Sequence, residues 1–132
     1  MLSISVIKAK FKRSGLNFKS TFIFDENSQQ VNPEDLFAFQ ANEKCIIYFI
    51  RDNNYSWYLT NKRLIIPLED KYISLSDLTK IDFPNVKNNP SSKMENTELS
   101  LFTNSDQFKL FLEEKSWHVF YNIFKFIIDK NN

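Results

Sequence analysis

His118 and Cys45 are the only histidine and the only cysteine in the chain, so general-base or thiolate chemistry has one residue of each kind to draw on. His118 falls on the polar stripe of a C-terminal helical pattern with Asn122, Lys125 and Asp129, and it reads as a surface histidine rather than a lone catalytic base. Cys45 stands in an apolar run beside Ile46 and Ile47. A reactive thiolate needs an electropositive cleft, which Lys44 alone does not make, so Cys45 reads as buried packing. With one imidazole and one thiol, a metal site would rest on carboxylates, and no D-x-[DN]-x-[DN]-G loop occurs. Gly15 is the only glycine, which excludes the Gly-rich loops whose backbone amides must approach a phosphate closely. The paired acids Asp25-Glu26, Glu34-Asp35, Glu69-Asp70 and Glu113-Glu114 each fall at a turn or an element end. There they read as solvated punctuation, not as an acid and base with separated pKa values. The expectation is a protein that binds rather than catalyses, with no catalytic, cofactor or metal residue to assign.

The basic residues are less evenly spread. Lys8, Lys10, Lys12, Arg13 and Lys19 all precede the first acid, Asp25, which makes a local cationic patch. On a strand, Lys8, Lys10 and Lys12 share one face. Two readings fit that face: a contact for phosphates of lipid or nucleic acid, or lysines that guard an exposed edge strand against aggregation. Lys62 and Arg63 form a second basic pair in a polar turn, as surface charges or as part of a partner-facing rim.

Across all 132 residues, 17 basic and 16 acidic groups leave a net charge of +1, which argues against a surface devoted as a whole to nucleic acid or anionic membrane. Hydrophobic residues make up 42% and aromatics 16%, with 14 phenylalanines, enough side-chain volume for a packed core. That length fits one domain, 1–132, because smaller pieces bury too little surface to offset their ordering entropy. A single cysteine forms no intrachain disulfide and suits a reducing, cytoplasmic setting. The start, MLSISVIKAKFK, lacks the pattern of a signal peptide. The most apolar late stretch, Ile123 to Ile128, contains Lys125 and falls short of the roughly 20 residues a spanning helix needs.

These residues need elements to hold them. Residues 3 to 24 read as two extended runs around Arg13-Ser14-Gly15, the second placing Leu16, Phe18, Phe22 and Phe24 on one face by alternation; a β-hairpin follows, with Gly15 supplying the turn. Asn32-Pro33-Glu34-Asp35 is a helix-start signal, with Asn as cap and Pro at the first helical position, and predicts a short helix to about Gln40. From Glu43 the chain changes to short β runs: Lys44 to Ile50, Tyr55 to Thr60, Arg63 to Leu68, Lys71 to Leu75, Leu78 to Phe83, Thr97 to Phe102 and Gln107 to Leu112. The connectors Asp52-Asn53-Asn54, Thr60-Asn61-Lys62, Glu69-Asp70 and Thr103-Asn104-Ser105-Asp106 are polar and of hairpin length, so neighbouring runs should pair antiparallel. Pro84 to Asn96 is polar, holds two prolines and shows no periodicity, and predicts a long loop.

The last element has the clearest geometry. Trp117, Phe120, Tyr121, Phe124, Ile127 and Ile128 recur at helical spacing, while Val119, Ile123 and Phe126 widen the apolar surface beyond what one core needs. Either the N-terminal hairpin covers this second side, giving a monomer, or a second copy does, giving a homodimer through the C-terminal helix.

Seven short antiparallel strands followed by one amphipathic helix is the order of the pleckstrin-homology-like barrel. Trp57-Tyr58-Leu59-Thr60-Asn61-Lys62-Arg63-Leu64-Ile65-Ile66, followed by Ile73-Ser74-Leu75-Ser76-Asp77-Leu78-Thr79-Lys80-Ile81-Asp82, resembles bacterial pleckstrin-homology-like and GRAM-type domains over about residues 43–130. The resemblance implies a seven-stranded antiparallel barrel or sandwich closed by the helix, with residues 1–42 as an extension. Phosphoinositide-binding members of that family carry several basic residues in the loop joining their first two strands. Here that loop is Arg51-Asp52-Asn53-Asn54-Tyr55, and one arginine beside an aspartate is a poor anion cradle. The expected function is therefore a cytoplasmic protein-interaction module, an adaptor or an inhibitor, using the extra hairpin or a sheet edge. The alternative is peripheral binding to anionic membrane lipids through the basic N-terminal segment. Nucleic acid is a weaker partner.

Overall fold

The computed structural model describes residues 3–15, 18–24, 38–52, 55–82 and 98–131. Ile4–Lys12 form helix α1, Thr21–Ile23 strand β1, Cys45–Asp52 β2, Tyr55–Thr60 β3, Arg63–Ile66 β4, Lys71–Ser74 β5, Lys80–Asp82 β6, Glu98–Phe102 β7, Gln107–Phe111 β8, and Trp117–Asn131 helix α2. All strand pairs are antiparallel. They build a five-stranded sheet in the order β1-β2-β3-β4-β5 and a three-stranded sheet in the order β6-β7-β8.

The seven strands expected after Glu43 are all present, several of them shorter. The run expected to Leu68 ends at Ile66, because Pro67 opens a 3-10 turn, Pro67–Glu69, and Asp70 reverses the chain at φ +53°. A second such turn, Leu75–Asp77, carries the chain out of the first sheet before β6 begins.

The N-terminal hairpin is corrected. Residues 4–12 are helical, because Ile4, Ile7 and Phe11 at i, i+3 and i+7 offer a helical stripe to the core, and Ser3 caps the first turn by accepting from the Val6 amide at 3.4 Å. The Lys-x-Lys-x-Lys alternation that suggests a strand is incidental to that stripe. Gly15 does adopt a positive φ, +66°, but it ends the helix instead of turning a hairpin, donating its amide to Lys12 O at 3.2 Å. Among the described residues of the second run, Thr21–Ile23 are strand, paired with β2. Of the helix expected over residues 32–40, all but residues 38–40 lie outside the described residues, and those three are not helical; Leu16 and the Pro84 to Asn96 loop lie outside them too.

The two sheets do not close into a barrel. β1 occupies the outer edge of β2, and β8 meets the first sheet through side chains: Trp57 Nε1 donates to Phe111 O at 2.8 Å, and Tyr55 Oη accepts from the Phe111 amide at 3.1 Å. The main core gathers Trp57, Leu59, Leu64 and Ile66 from the first sheet, Leu99, Leu101, Phe108 and Leu110 from the second, and the inner faces of both helices. Trp57, with no exposed surface, stacks edge-on against Phe120 of α2. A second cluster covers the other face of the five-stranded sheet, where Cys45, Tyr48, Tyr58 and Ile65 are buried with Phe22, Phe24 and Phe39 against them. Burial on both faces explains why Cys45 to Phe49 is uninterruptedly apolar.

The second side of α2 is covered by this chain. Val119 and Ile123 are buried, and Phe11 of α1 meets Phe120 at 5.9 Å between ring centroids. The cover expected from the N-terminus is there, in helical form.

Candidate binding surfaces

The basic residues separate into three settings. Lys62 and Arg63 sit at the β3–β4 turn, where Arg63 belongs to a buried clasp: its Nη2 lies 2.7 Å from Glu43 Oε1 and its Nε donates to Glu43 Oε2 at 2.9 Å. Thr60 Oγ1 donates to the same carboxylate at 2.6 Å and the Gln40 amide at 2.8 Å. Burial pushes the Glu43 pKa up, but the bonds from Arg63, Thr60 and Gln40, with the Arg63 charge, outweigh it and hold the carboxyl below its ordinary value. The Glu43 bond likewise holds the Arg63 guanidinium more firmly protonated, against the opposing effect of burial. Arg63 is thus a structural ion-pair partner of Glu43. Lys62 donates its Nζ to Ala41 O, so this pair tethers residues 38–43 to the turn. Arg51 stands over the Tyr55 and Phe111 rings, 5.0 and 5.3 Å from their centroids, and closes one end of the contact between the sheets.

The five N-terminal cations do not share a strand face. On α1, Lys8 and Lys12 lie one turn apart and Lys10 points away from them. Lys8 Nζ donates to Phe24 O at 3.3 Å, tying the helix to β1. Lys19 contributes through its backbone: the Lys19 and Ser20 amides each donate to Glu113 at 2.7 Å, joined by Thr21 Oγ1 at 2.9 Å. Glu113 is therefore a clamp on the start of β1, in contrast to the solvated role its place at an element end suggests. Lys10 and Arg13 face α2 across a groove of about 470 Å³ that also takes in Ser14, His118, Asn122, Lys125 and Asp129.

Sequence reasoning missed the free edge of β5. In an antiparallel pair, successive residues alternate between bonding the neighbour and turning N–H and C=O away from it. The Leu75 amide donates to Lys62 O at 2.9 Å, so Ile73 and Lys71 face β4, and Tyr72 and Ser74 present their backbone groups outward. Among the described residues no strand pairs with that edge. Tyr72 is 48% exposed and nearby Leu68 65%. A cleft of about 490 Å³ runs beside the edge, bounded by Lys71, Tyr72, Ser74, Asp77, Asp106 and Phe108. Lys71 is fixed there by Asp106 at 3.6 Å and by the Phe108 ring. Ser74 also lines a second cleft of about 460 Å³, between the β3–β4 turn and Ile127, Lys130 and Asn131 of α2. The signal available in the sequence was the alternation in Lys71-Tyr72-Ile73: with Ile73 inward, Tyr72 must point out.

Cys45 is buried, and burial, with Glu43 nearby, pushes its thiol up to about 12, the opposite of an activated nucleophile. Among the described residues no three His, Cys, Asp or Glu side chains converge as a metal-holding group, and no helix is long and apolar enough to cross a membrane. Comparison with protein-family models, with curated proteins and with solved structures found no match, so the functional reading stands on the geometry of these surfaces.

Proposed function

We propose that this chain is a non-catalytic, cytoplasmic binding module of pleckstrin-homology-like architecture, an adaptor or inhibitor that takes an extended segment of a protein partner along the outer edge of β5. The carrying observation is that edge: the outward backbone groups of Tyr72 and Ser74, the exposed Tyr72 ring and a cleft alongside. An added strand gains main-chain hydrogen bonds from such an edge and specificity from pockets beside it. Four successive strands, β2 to β5, then three, β6 to β8, then one apolar helix is the order of pleckstrin-homology-like domains and supports that architecture. The mixed charge along the cleft, Lys71 with Asp77 and Asp106, suits a peptide of mixed composition better than a polyanion.

Ser74 gives a clean test. Its φ of −64° is the value proline fixes, and its amide points away from β4, so Ser74→Pro removes an outward donor without costing a ladder bond. A photo-crosslinking residue at Tyr72 identifies the partner segment, which is then synthesised and titrated. Binding should fall about tenfold or more in Ser74→Pro, the loss of about one strand-pairing bond plus a steric block, with the circular dichroism and melting temperature unchanged. Equal affinity of wild type, Ser74→Pro and Tyr72→Ala for that segment would overturn the reading.

A further inference from the structure

Five of the described cations are ion-paired, and the cations of α1 and of its C-cap are among those that are not. Arg63, Lys71, Lys80, Lys109 and Lys125 each have a carboxylate partner. Lys8, Lys10, Lys12 and Arg13 have none among the described residues, and α1 itself contains no acid. Lysines in a last helical turn are explained in part by the negative end of the helix dipole. That does not explain the groove, where two of these cations converge with polar groups of a different helix. Lys10 is held over the Phe126 ring at 4.7 Å, and Arg13 makes no ion pair among the described residues. Opposite them, at intervals of about one turn along α2, stand His118, Asn122 and Lys125. Among the described residues that line the groove, the one carboxylate, Asp129, is taken up by Lys125 at 3.0 Å.

We propose that this groove binds a phosphate group, carried by a phosphomonoester or by a phosphorylated lipid headgroup, between the guanidinium of Arg13, the ammonium of Lys10 and the His118–Asn122 face of α2. A guanidinium fork matches two phosphate oxygens, an ammonium supplies a second, point-like charge, and the Asn122 amide adds a neutral donor. About 470 Å³ accommodates one phosphate and part of its substituent. Among the described residues the groove shares none with the β5 cleft, so this site is separate from peptide capture there.

The test uses the full chain, with ionic strength held constant by chloride so that general screening does not change. Inorganic phosphate and glycerol phosphate are titrated while backbone amides are followed by NMR. Saturable shifts confined to the C-terminal end of α1 and to residues 118–125, with a Kd on the order of 1 mM, are expected. Arg13→Gln and Lys10→Gln should each weaken binding roughly fivefold or more, as loss of a charge-assisted bond does. Lys109→Gln, on β8, should leave it unchanged. The same proteins are sedimented with phosphatidylcholine vesicles containing phosphatidic acid. Pelleting that Arg13→Gln abolishes assigns the phosphate to a lipid headgroup, and shifts without pelleting assign it to a soluble ester. Absence of saturable shifts in folded wild type, or shifts indifferent to both substitutions, overturns the site.

Discussion

Glu43 lies at the turn before β2, and its side chain has no exposed surface although it is charged. Burying a carboxylate is costly unless its lone pairs are filled and a countercharge is adjacent. Thr60, the Gln40 amide and two nitrogens of Arg63 meet both conditions. Because the folded-state pKa is lowered, the unfolded chain binds more protons wherever pH lies between the folded value and the ordinary value of about 4.3. The clasp therefore contributes its full stability above that ordinary value and loses it as pH falls through the folded one. Glu43→Gln leaves the Arg63 guanidinium enclosed with no carboxylate and should cost about 3 kcal/mol at pH 7, read by urea unfolding. The gap to wild type should shrink as pH drops below about 4; a gap that stayed constant from pH 7 down to pH 2 would refute this account. None of this was legible from the sequence. Glu43 and Arg63 are twenty positions apart, and each alone looks like an ordinary surface charge.

At the scale of elements, legibility followed the length and strictness of the hydrophobic pattern. α2 was readable almost residue by residue, because Trp117 to Ile128 repeats its apolar positions over three turns, and the polar stripe of Asn122, Lys125 and Asp129 is exposed as the spacing requires. Strands β2 to β8 were readable because turn residues punctuate them. α1 was misread because nine residues satisfy both periods: Lys8, Lys10 and Lys12 alternate, while Ile4, Ile7 and Phe11 recur as a helix demands. Tertiary packing broke the tie, since only the helical arrangement buries Ile7 and Phe11 together. Gly15 takes the positive φ that a lone glycine predicts, but at the end of a helix and not in a hairpin turn. Beyond its chain neighbours, no atom of the described residues lies within 4 Å of where an alanine Cβ would sit, so Gly15→Ala meets the left-handed backbone cost. It should lower stability by about 1 kcal/mol while leaving the α1 chemical shifts in place. A loss of several kcal/mol would mean the glycine is needed for close packing that the structure does not contain.

For the whole molecule, the surplus apolar surface of α2 decides how the chain behaves in solution. Phe11 packs against Phe18 at 5.0 Å and against Phe120 at 5.9 Å between centroids, with Ile7 fully buried in the same core, so Phe11 and the Lys10–Phe126 contact join α1 to α2, and Lys8 joins it to the residue after β1. Two sheets that share a core without closing leave α2 as the common wall, and α1 shields the part of that wall facing away from them. The wild-type chain should consequently run as a monomer in light scattering. Phe11→Asp places a charge where a ring was buried and should cost at least the ~3–5 kcal/mol of deleting a core phenylalanine. The strand signal in circular dichroism should persist at low temperature, because the sheets' own contacts are untouched. The uncovered Val119 and Ile123 side of α2 should then bind a hydrophobic dye and self-associate at tens of micromolar, as large exposed apolar patches do. A Phe11→Asp protein that stays monomeric, dye-negative and as stable as wild type would show that α1 is not what covers the helix.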